Sequence, residues 1–292
     1  MNWIILSIGA AFLWALNTVF LNKFKKIKPD ILGSVQLAVM VPVCALLLFI
    51  LDINIFDISL KIFFIMALLS VSNLFMFVIT TKAIHLSGLG LTQPFLSLTP
   101  IFLIFTSFLF FKETPTIFGL AGIILIVLGA YLINIRKYRQ GIFEPFKEVF
   151  REKGSVLMLI VAFVYSINAN LFRIGAENLS RIDFVILLIL LEGTAGFLYV
   201  FFKYNRKITK KINLKPDLLK FLGLGFLIFF SEMLFAAAII ETKVSYAISL
   251  KRTQILFSVI FGYVFFKEKN FKETLFGSAI MVAGVVVISL FG

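Results

Sequence analysis

The sequence predicts an all-α integral membrane protein with ten transmembrane helices, arranged as two five-helix repeats of inverted topology. Two observations lead to this prediction: the composition and a motif that recurs in both halves of the chain. Of the 292 residues, 61% are hydrophobic and 15% are charged, whereas a soluble domain carries about 25% charged residues. A lipid bilayer is therefore the solvent that suits most of this chain.

The two halves of the chain share one pattern. The sequence Phe-Phe-Lys-Glu occurs at 110–113 and again at 265–268, which is 155 residues later. Upstream, AFLWALN at 11–17 parallels AFVYSIN at 162–168. A duplicated half in an apolar chain is typical of membrane proteins built from two structural repeats. Glycines follow the two Lys-Glu pairs at matching spacing: Gly122 and Gly129, then Gly277 and Gly284.

Ten apolar stretches are long enough to cross the hydrocarbon core, which takes about 20 helical residues. Five lie in each half, and a polar segment between the fifth and sixth is predicted to be an interfacial linker. We therefore expect a first repeat over 1–135, a cytoplasmic linker over 136–153 and a second repeat over 154–292. The stretches are 3–21, 31–51, 62–81, 88–111, 115–134, 155–173, 184–202, 218–240, 244–266 and 273–291.

The distribution of basic residues predicts the orientation in the cytoplasmic membrane. The odd-numbered loops, counted together with the basic residues at the adjoining ends of the stretches, hold 21 of the 28 lysines and arginines, and the even-numbered loops counted in the same way hold 5. By the positive-inside rule, the odd-numbered loops face the cytoplasm and both termini lie outside. The N-terminus lacks the basic region of a signal peptide, so the first stretch is expected to remain a membrane helix. With five spans per half, the second half enters the membrane upside down.

The composition also excludes several classes of function. One histidine and one cysteine, Cys44, leave no ligand set for a structural metal site, and no cofactor is expected. No glycine-rich phosphate loop is present, which excludes an ATP-driven pump. The net charge of +13 does not indicate nucleic acid, because the lysines lie in short loops. The expected partners are the bilayer and a small molecule, with the chain either a monomer or a homodimer formed through its glycine-bearing helices.

Four charged residues lie well inside predicted spans: Glu192, Glu232, Lys251 and Arg252. A charge at the bilayer centre costs about 3 kcal/mol on insertion scales, so such residues face the interior of a bundle and pair. In the functional interpretation, Lys251 and Arg252 bind an anionic group. Glu192 or Glu232 then takes up and releases a proton. In the structural interpretation, the two glutamates form internal salt bridges with the two cations.

Neutral polar and aromatic residues extend the candidate binding site. On the ninth stretch, Gln254 lies on the same helix face as Lys251. The aromatic candidates have packing as their alternative role. The Lys-Glu pairs at 112–113 and 267–268 are expected either to cap helix ends or to act as a gate. The remaining candidates to stack on or hydrogen-bond a bound molecule are Trp14, Asn17, Asn73, Gln93, Tyr165, Asn168, Asn170 and Tyr246.

Several of these segments resemble one family of membrane proteins. They are the first-helix segment 11–17, the segment Ser97-Leu98-Thr99-Pro100 (97–100), and its second-half counterpart at 246–253. With the Lys-Glu pairs and glycines that follow, they resemble the EamA-type ten-helix transporters of the drug/metabolite transporter superfamily. One departure is Ile255 at the position that corresponds to Pro100, which weakens the expectation of a helix break in the second half.

The four deep charges favour an anionic or zwitterionic substrate, the inverted repeat favours alternating access, and no catalytic residue is expected. The resemblance implies a secondary transporter that exports or exchanges a small metabolite. It implies that helices 5 and 10 lie at the periphery of eight cavity-lining helices. The Lys251–Arg252 pair also resembles the basic pair that binds phosphate in sugar-phosphate translocators of the same superfamily. Two alternatives stay open: a membrane-embedded enzyme that processes lipid, and an uncoupled lipid-translocating or scaffold protein. The enzyme would need a clustered catalytic set, for which one histidine and two deep carboxylates are too few.

Overall fold

Eleven α-helices make up the regular structure of the residues that the computed structural model describes, which are 2–21, 29–53, 58–87, 95–135, 153–205, 218–266 and 271–292. The helices of the first half are α1 (Asn2–Leu21), α2 (Pro29–Ile50), α3 (Leu60–Ser87), α4 (Thr99–Phe111) and α5 (Ile117–Ile135). Those of the second half are α6 (Lys153–Asn178), α7 (Arg181–Asn205), α8 (Leu218–Ile239), α9 (Val244–Lys251), α10 (Gln254–Phe266) and α11 (Phe271–Phe291).

These helices supply the ten predicted transmembrane segments. Within the described ranges, seven helical stretches are long and apolar enough to cross a membrane, and three shorter apolar helices occupy the fourth, fifth and tenth positions. The ninth segment consists of two helices, α9 and α10. The all-α fold with two five-segment halves is thereby confirmed. Apart from Lys153, the linker expected over 136–153 lies outside the described residues, as does the second Lys-Glu pair at 267–268.

The outer surface of the bundle is apolar. Phe49, Leu60 and Leu219 each expose more than four-fifths of their area. In water such a surface would favour aggregation, whereas in a bilayer it contacts the apolar lipid chains. A helix also satisfies its own backbone hydrogen bonds, which hydrocarbon cannot do. The apolar stretches therefore form helices whose outward side chains face lipid.

The two halves are interleaved rather than placed side by side. Helix α1 packs against α8, α9 and α10, and helix α6 packs in the corresponding way against α3 and α4. Helices α2 and α7 pack against each other, and so do α5 and α11. Each of these contacts maps onto itself or onto another when the halves are exchanged. The packing of the described helices thus follows the two-fold relation predicted from the sequence repeat.

The repeated glycines lie where α5 meets α11. A Cβ atom added at Gly122 would lie 2.9 Å from the carbonyl oxygen of Gly284, and one added at Gly129 would lie 2.6 Å from that of Gly277. Both distances are shorter than side-chain carbons tolerate, so only glycine permits this close backbone approach. The glycines therefore serve helix packing within the chain, where α5 and α11 make their main contact with each other.

Both halves carry the same interruption of a helix. In the first half, a turn at 97–98 separates the helical residues 95–96 from α4. In the second half, a turn at 252–253 separates α9 from α10. These positions correspond at the 155-residue offset of the repeat. The break therefore forms in the second half as well, although Ile255 replaces proline there.

A threonine hydroxyl accompanies each break. The Thr99 hydroxyl donates to the carbonyl of Leu96, and the Thr253 hydroxyl donates to that of Leu250, each at 2.7 Å. Such local bonds from side chain to backbone compete with the regular helical ladder. The backbone N–H of Thr253 also bonds three residues back, to Leu250 at 3.0 Å, which tightens the turn. Proline is thus not required for the interruption.

Candidate functional site

A cluster of polar and charged side chains lies in the middle of the bundle, where α1, α3, α6, α7 and α8 meet the break between α9 and α10. We call this cluster the central site. All of its defining residues are candidates from the sequence, and most lie near the middle of their helices, far from either end. The central site consists of Trp14, Asn73, Tyr165, Asn168, Glu192, Glu232, Lys251 and Arg252.

Lys251 is held on three sides. Its Nζ lies 3.1 Å from Oε1 of Glu232, and the two side chains are only 16% and 10% exposed. The same ammonium lies 3.8 Å from the ring centroid of Phe235 and 5.1 Å from that of Trp14. A carboxylate and two aromatic faces compensate most of the lysine charge. For this pair, the structure places the internal salt bridge that the structural interpretation expected.

Arg252 has a different environment. Among the described residues, none forms a hydrogen bond or ion pair with its guanidinium, and Nε is buried without a partner. Tyr165 lies close enough to interact with it electrostatically. The Thr80 hydroxyl, also buried, lies beside Tyr165 but makes no hydrogen bond of standard geometry. A partly buried guanidinium whose Nε has no partner is costly, and an anionic group is what would satisfy it.

Glu192 is the last residue in a chain of hydrogen bonds. The Ser72 hydroxyl donates to Oδ1 of Asn168 at 2.9 Å, and Nδ2 of Asn168 donates to Oδ1 of Asn73 at 2.7 Å. Nδ2 of Asn73 then donates to Oε1 of Glu192 at 2.8 Å. The chain links α6, α3 and α7 and orients the carboxylate. No described cation forms an ion pair with Glu192, although Lys251 is near enough to interact electrostatically.

Three other candidates from the sequence lie in helix contacts away from this cluster. Nδ2 of Asn17 donates to the carbonyl of Leu224 at 2.9 Å, which joins α1 to α8. Asn170 is fully buried and bonds to residues of α4. The Tyr246 hydroxyl accepts the backbone N–H of Thr116 at 2.9 Å, at the start of α5. Each of these side chains is already satisfied by the protein.

Gln254 and Gln93 complete the candidate set. Gln254 is the first residue of α10, directly after the break, and makes no hydrogen bond with another described residue. Gln93 lies outside the described residues.

Two neighbours of the central site escaped the sequence reasoning, namely Phe235 and Thr80. Phe235 lies three residues after Glu232, and Thr80 lies seven residues after Asn73, so each shares a helix face with a recognised candidate. The spacing was a usable signal for both. Phe235 was hidden among 37 phenylalanines. In the described part of the chain, no group of three His, Cys, Asp or Glu residues could hold a metal ion.

Fold and site together define a multi-pass membrane protein of two repeated halves with a polar centre. The chain belongs to the EamA-like transporter family, whose model matches residues 1–135 and 152–290. This is a family of transporters and not of enzymes. The family resemblance inferred from the sequence motifs is thereby confirmed, and so is the helical fold of two repeated halves.

Comparisons with other proteins support the fold alone. Twenty-seven chains of solved structures match. One of them, described only as the crystal structure of a protein, superposes with a TM-score of 0.74 over 99% of this chain and 96% of that chain, at 13% identity. No curated protein matches the sequence.

Proposed function

We propose that the chain is a secondary transporter that moves a small anionic or zwitterionic metabolite across the cytoplasmic membrane by alternating access. Inverted repeats that meet at interrupted helices are the usual architecture of such transporters, with the substrate near the midplane. The charge distribution supports an orientation with the odd-numbered loops in the cytoplasm. Membership of the EamA-like family supports the same class of function.

The observation that carries the proposal is Arg252 at the helix break, whose Nε is buried without a hydrogen-bond partner among the described residues. A substrate carboxylate or phosphate would supply the two parallel hydrogen bonds that a guanidinium is shaped to make. The Tyr165 side chain interacts electrostatically with this guanidinium, and the Thr80 hydroxyl lies beside Tyr165, so both hydroxyls can donate to a bound anion. The basic pair is thereby divided into two roles. Arg252 binds substrate, and Lys251 fixes α9 to α8 through Glu232.

Glu192 sets the charge that the substrate must bring. With Lys251 and Glu232 compensating each other, the central site is left with one guanidinium and one carboxylate that form no ion pair with another described residue. A zwitterion would satisfy both groups. An anion would satisfy Arg252 only, and a proton on Glu192 would then neutralise the other charge. The two substrate classes therefore differ in their dependence on a proton.

Reconstitution in liposomes tests both the function and the substrate class. Uptake and exchange of a metabolite panel are measured with and without a pH gradient, for the wild type and for Glu192→Gln. For an anion, the pH gradient drives wild-type uptake, and the variant loses that response. For a zwitterion, the gradient has no effect on wild-type uptake. The KM of the variant rises by about 10-fold or more, because a charge-assisted hydrogen bond is worth about 1.5–3 kcal/mol. A wild type that exchanges no member of the panel would contradict the proposal.

A further inference from the structure

An ion pair outside the central site lies after the end of α4. Oε1 of Glu113 accepts a hydrogen bond from Nη1 of Arg173 at 2.5 Å. Nε of the same arginine donates to Glu177 at 2.6 Å, and its guanidinium lies 4.5 Å from the ring centroid of Phe111. The side chains of Arg173 and Glu113 are 14% and 20% exposed. We call these four residues the end cluster.

The end cluster reaches the start of α9. Lys112 takes the left-handed conformation, with φ of 58°, which ends α4 and turns the chain. The next residue, Glu113, then accepts the backbone N–H of Val244 through Oε2 at 3.3 Å. The Thr116–Tyr246 hydrogen bond joins the same turn to α9 at a second point. The turn after α4 therefore holds the N-terminal end of α9.

The other end of α9 is the central site. This helix has eight residues and ends at Lys251, directly before Arg252. Eight helical residues span about 12 Å, so a single short helix connects the end cluster to the central site. We expect a movement of α9 at Val244 to be passed on to Arg252.

The end cluster also joins the two repeats across their interface. Glu113 belongs to the first half, whereas Arg173 and Val244 belong to the second. In a transporter of two repeats, contacts of this kind must change when one half rocks against the other. Arg173 keeps Glu177, which is on its own helix, when Glu113 leaves. Arg173 therefore still has a carboxylate partner in the open state, which lowers the free-energy cost of breaking the Glu113–Arg173 contact.

We propose that the Glu113–Arg173 pair is the closing contact at one end of the transport path, and that Glu113 positions Arg252 through α9. The pair is intact while this end is closed and breaks when it opens. The inference rests on the proposed transport function, because it assigns the contact to one state of the alternating-access cycle.

Thiol labelling tests this role without a known substrate. In a Cys44→Ala background, the reporter is Ser249→Cys, since Ser249 is fully buried and lies between Val244 and Arg252, on the face of Arg252. A membrane-impermeant maleimide is added to one face of the membrane and then to the other. Glu241 is exposed in the turn before α9, so labelling of Glu241→Cys identifies the face that carries the end cluster.

We expect Glu113→Gln to raise the labelling rate of the reporter from the end-cluster face by about 10-fold, because breaking a partly buried ion pair shifts a two-state equilibrium by about that factor. Labelling from the opposite face should fall. The matched control is Glu177→Gln, which removes a carboxylate from the same arginine without touching α9. Its labelling rate from the end-cluster face should not rise above that of the wild type, because Glu177 compensates Arg173 in the open state. Arg173→Gln serves as a second variant that breaks the contact from its other side and should act like Glu113→Gln.

The outcomes separate this inference from the proposed function. If the folded Glu113→Gln and Arg173→Gln variants label at wild-type rates, the pair is not a closing contact, even where transport depends on Arg252. Equal effects of Glu177→Gln and Glu113→Gln would also overturn the inference, because Glu177 does not reach α9. If labelling responds as expected but no panel metabolite is exchanged, the closing contact stands and the transport assignment fails.

Discussion

Lys251 and Arg252 are neighbours in sequence with different surroundings. Adjacent helical residues point about 100° apart, so one helix end can direct its two cations to different partners. Lys251 points toward Glu232 and two aromatic rings, and Arg252 points toward Tyr165. A sequence shows two deep cations and two deep carboxylates but not how they pair. The pairing depends on how α7, α8 and α9 are rotated relative to one another.

The pairing of Lys251 with Glu232 makes a prediction about stability. Lys251→Gln leaves a buried carboxylate without its cation and should lower the free energy of unfolding by about 3 kcal/mol. The double variant Lys251→Gln with Glu232→Gln removes both charges and should recover most of that loss. The measurement is the unfolding midpoint of the purified protein in detergent. A double variant that is no more stable than the single one would show that this ion pair is not a structural unit.

The helices show which parts of the fold follow from local sequence. The lengths of the apolar stretches alone predict the ten membrane segments. A single stretch of backbone in lipid has to satisfy its own hydrogen bonds, and the helix does so. The first helix break is predicted by Pro100. The second depends on Thr253 and on the surrounding packing, so the absence of proline was misleading.

Long-range packing decides which polar residues join the central site. Asn17 and Asn73 look equivalent in the sequence, since each is a polar residue deep in an apolar helix. The Asn17 side chain donates a hydrogen bond to the carbonyl of Leu224, 207 residues away, whereas the Asn73 side chain donates to Glu192. Such partners come from helices that are distant in sequence, and no local pattern specifies them. Sequence reasoning could therefore supply the candidates but not select among them.

The contact of α5 with α11 makes a prediction at the level of the element. Gly129→Ala places a methyl group against the backbone of Gly277 and should destabilise the protein by about 1–3 kcal/mol through overpacking. Gly223 of α8 is the matched control, since a Cβ there meets nothing within 4 Å. Gly223→Ala should be neutral or slightly stabilising, by up to about 1 kcal/mol, because alanine is the better helix former. Similar unfolding midpoints for the two variants would contradict the packing role of Gly129.

For the molecule as a whole, the interleaving of the two halves brings helices of both repeats to the central site. Helices α1 and α6 each pack mainly on the opposite half, so the central site is built from both repeats. Trp14 and Asn73 come from the first half, and the four charges come from the second. The helix packing thus keeps the ancestral two-fold symmetry, whereas the distribution of charged side chains in the central site does not. This combination suits a protein in which symmetric motion serves one asymmetric binding site.

We propose that Arg252 binds the transported molecule and that Lys251 does not. The most direct measurement is substrate exchange in liposomes by Arg252→Gln, compared with the charge-balanced double variant Lys251→Gln with Glu232→Gln. We expect Arg252→Gln to fold and to lose exchange by about 10-fold or more, because it removes a charge-assisted hydrogen bond to substrate. The double variant should keep exchange within about threefold of the wild type, because its two charges compensate each other. If Arg252→Gln retains exchange while the double variant loses it, the roles of the two cations are reversed and the account is wrong.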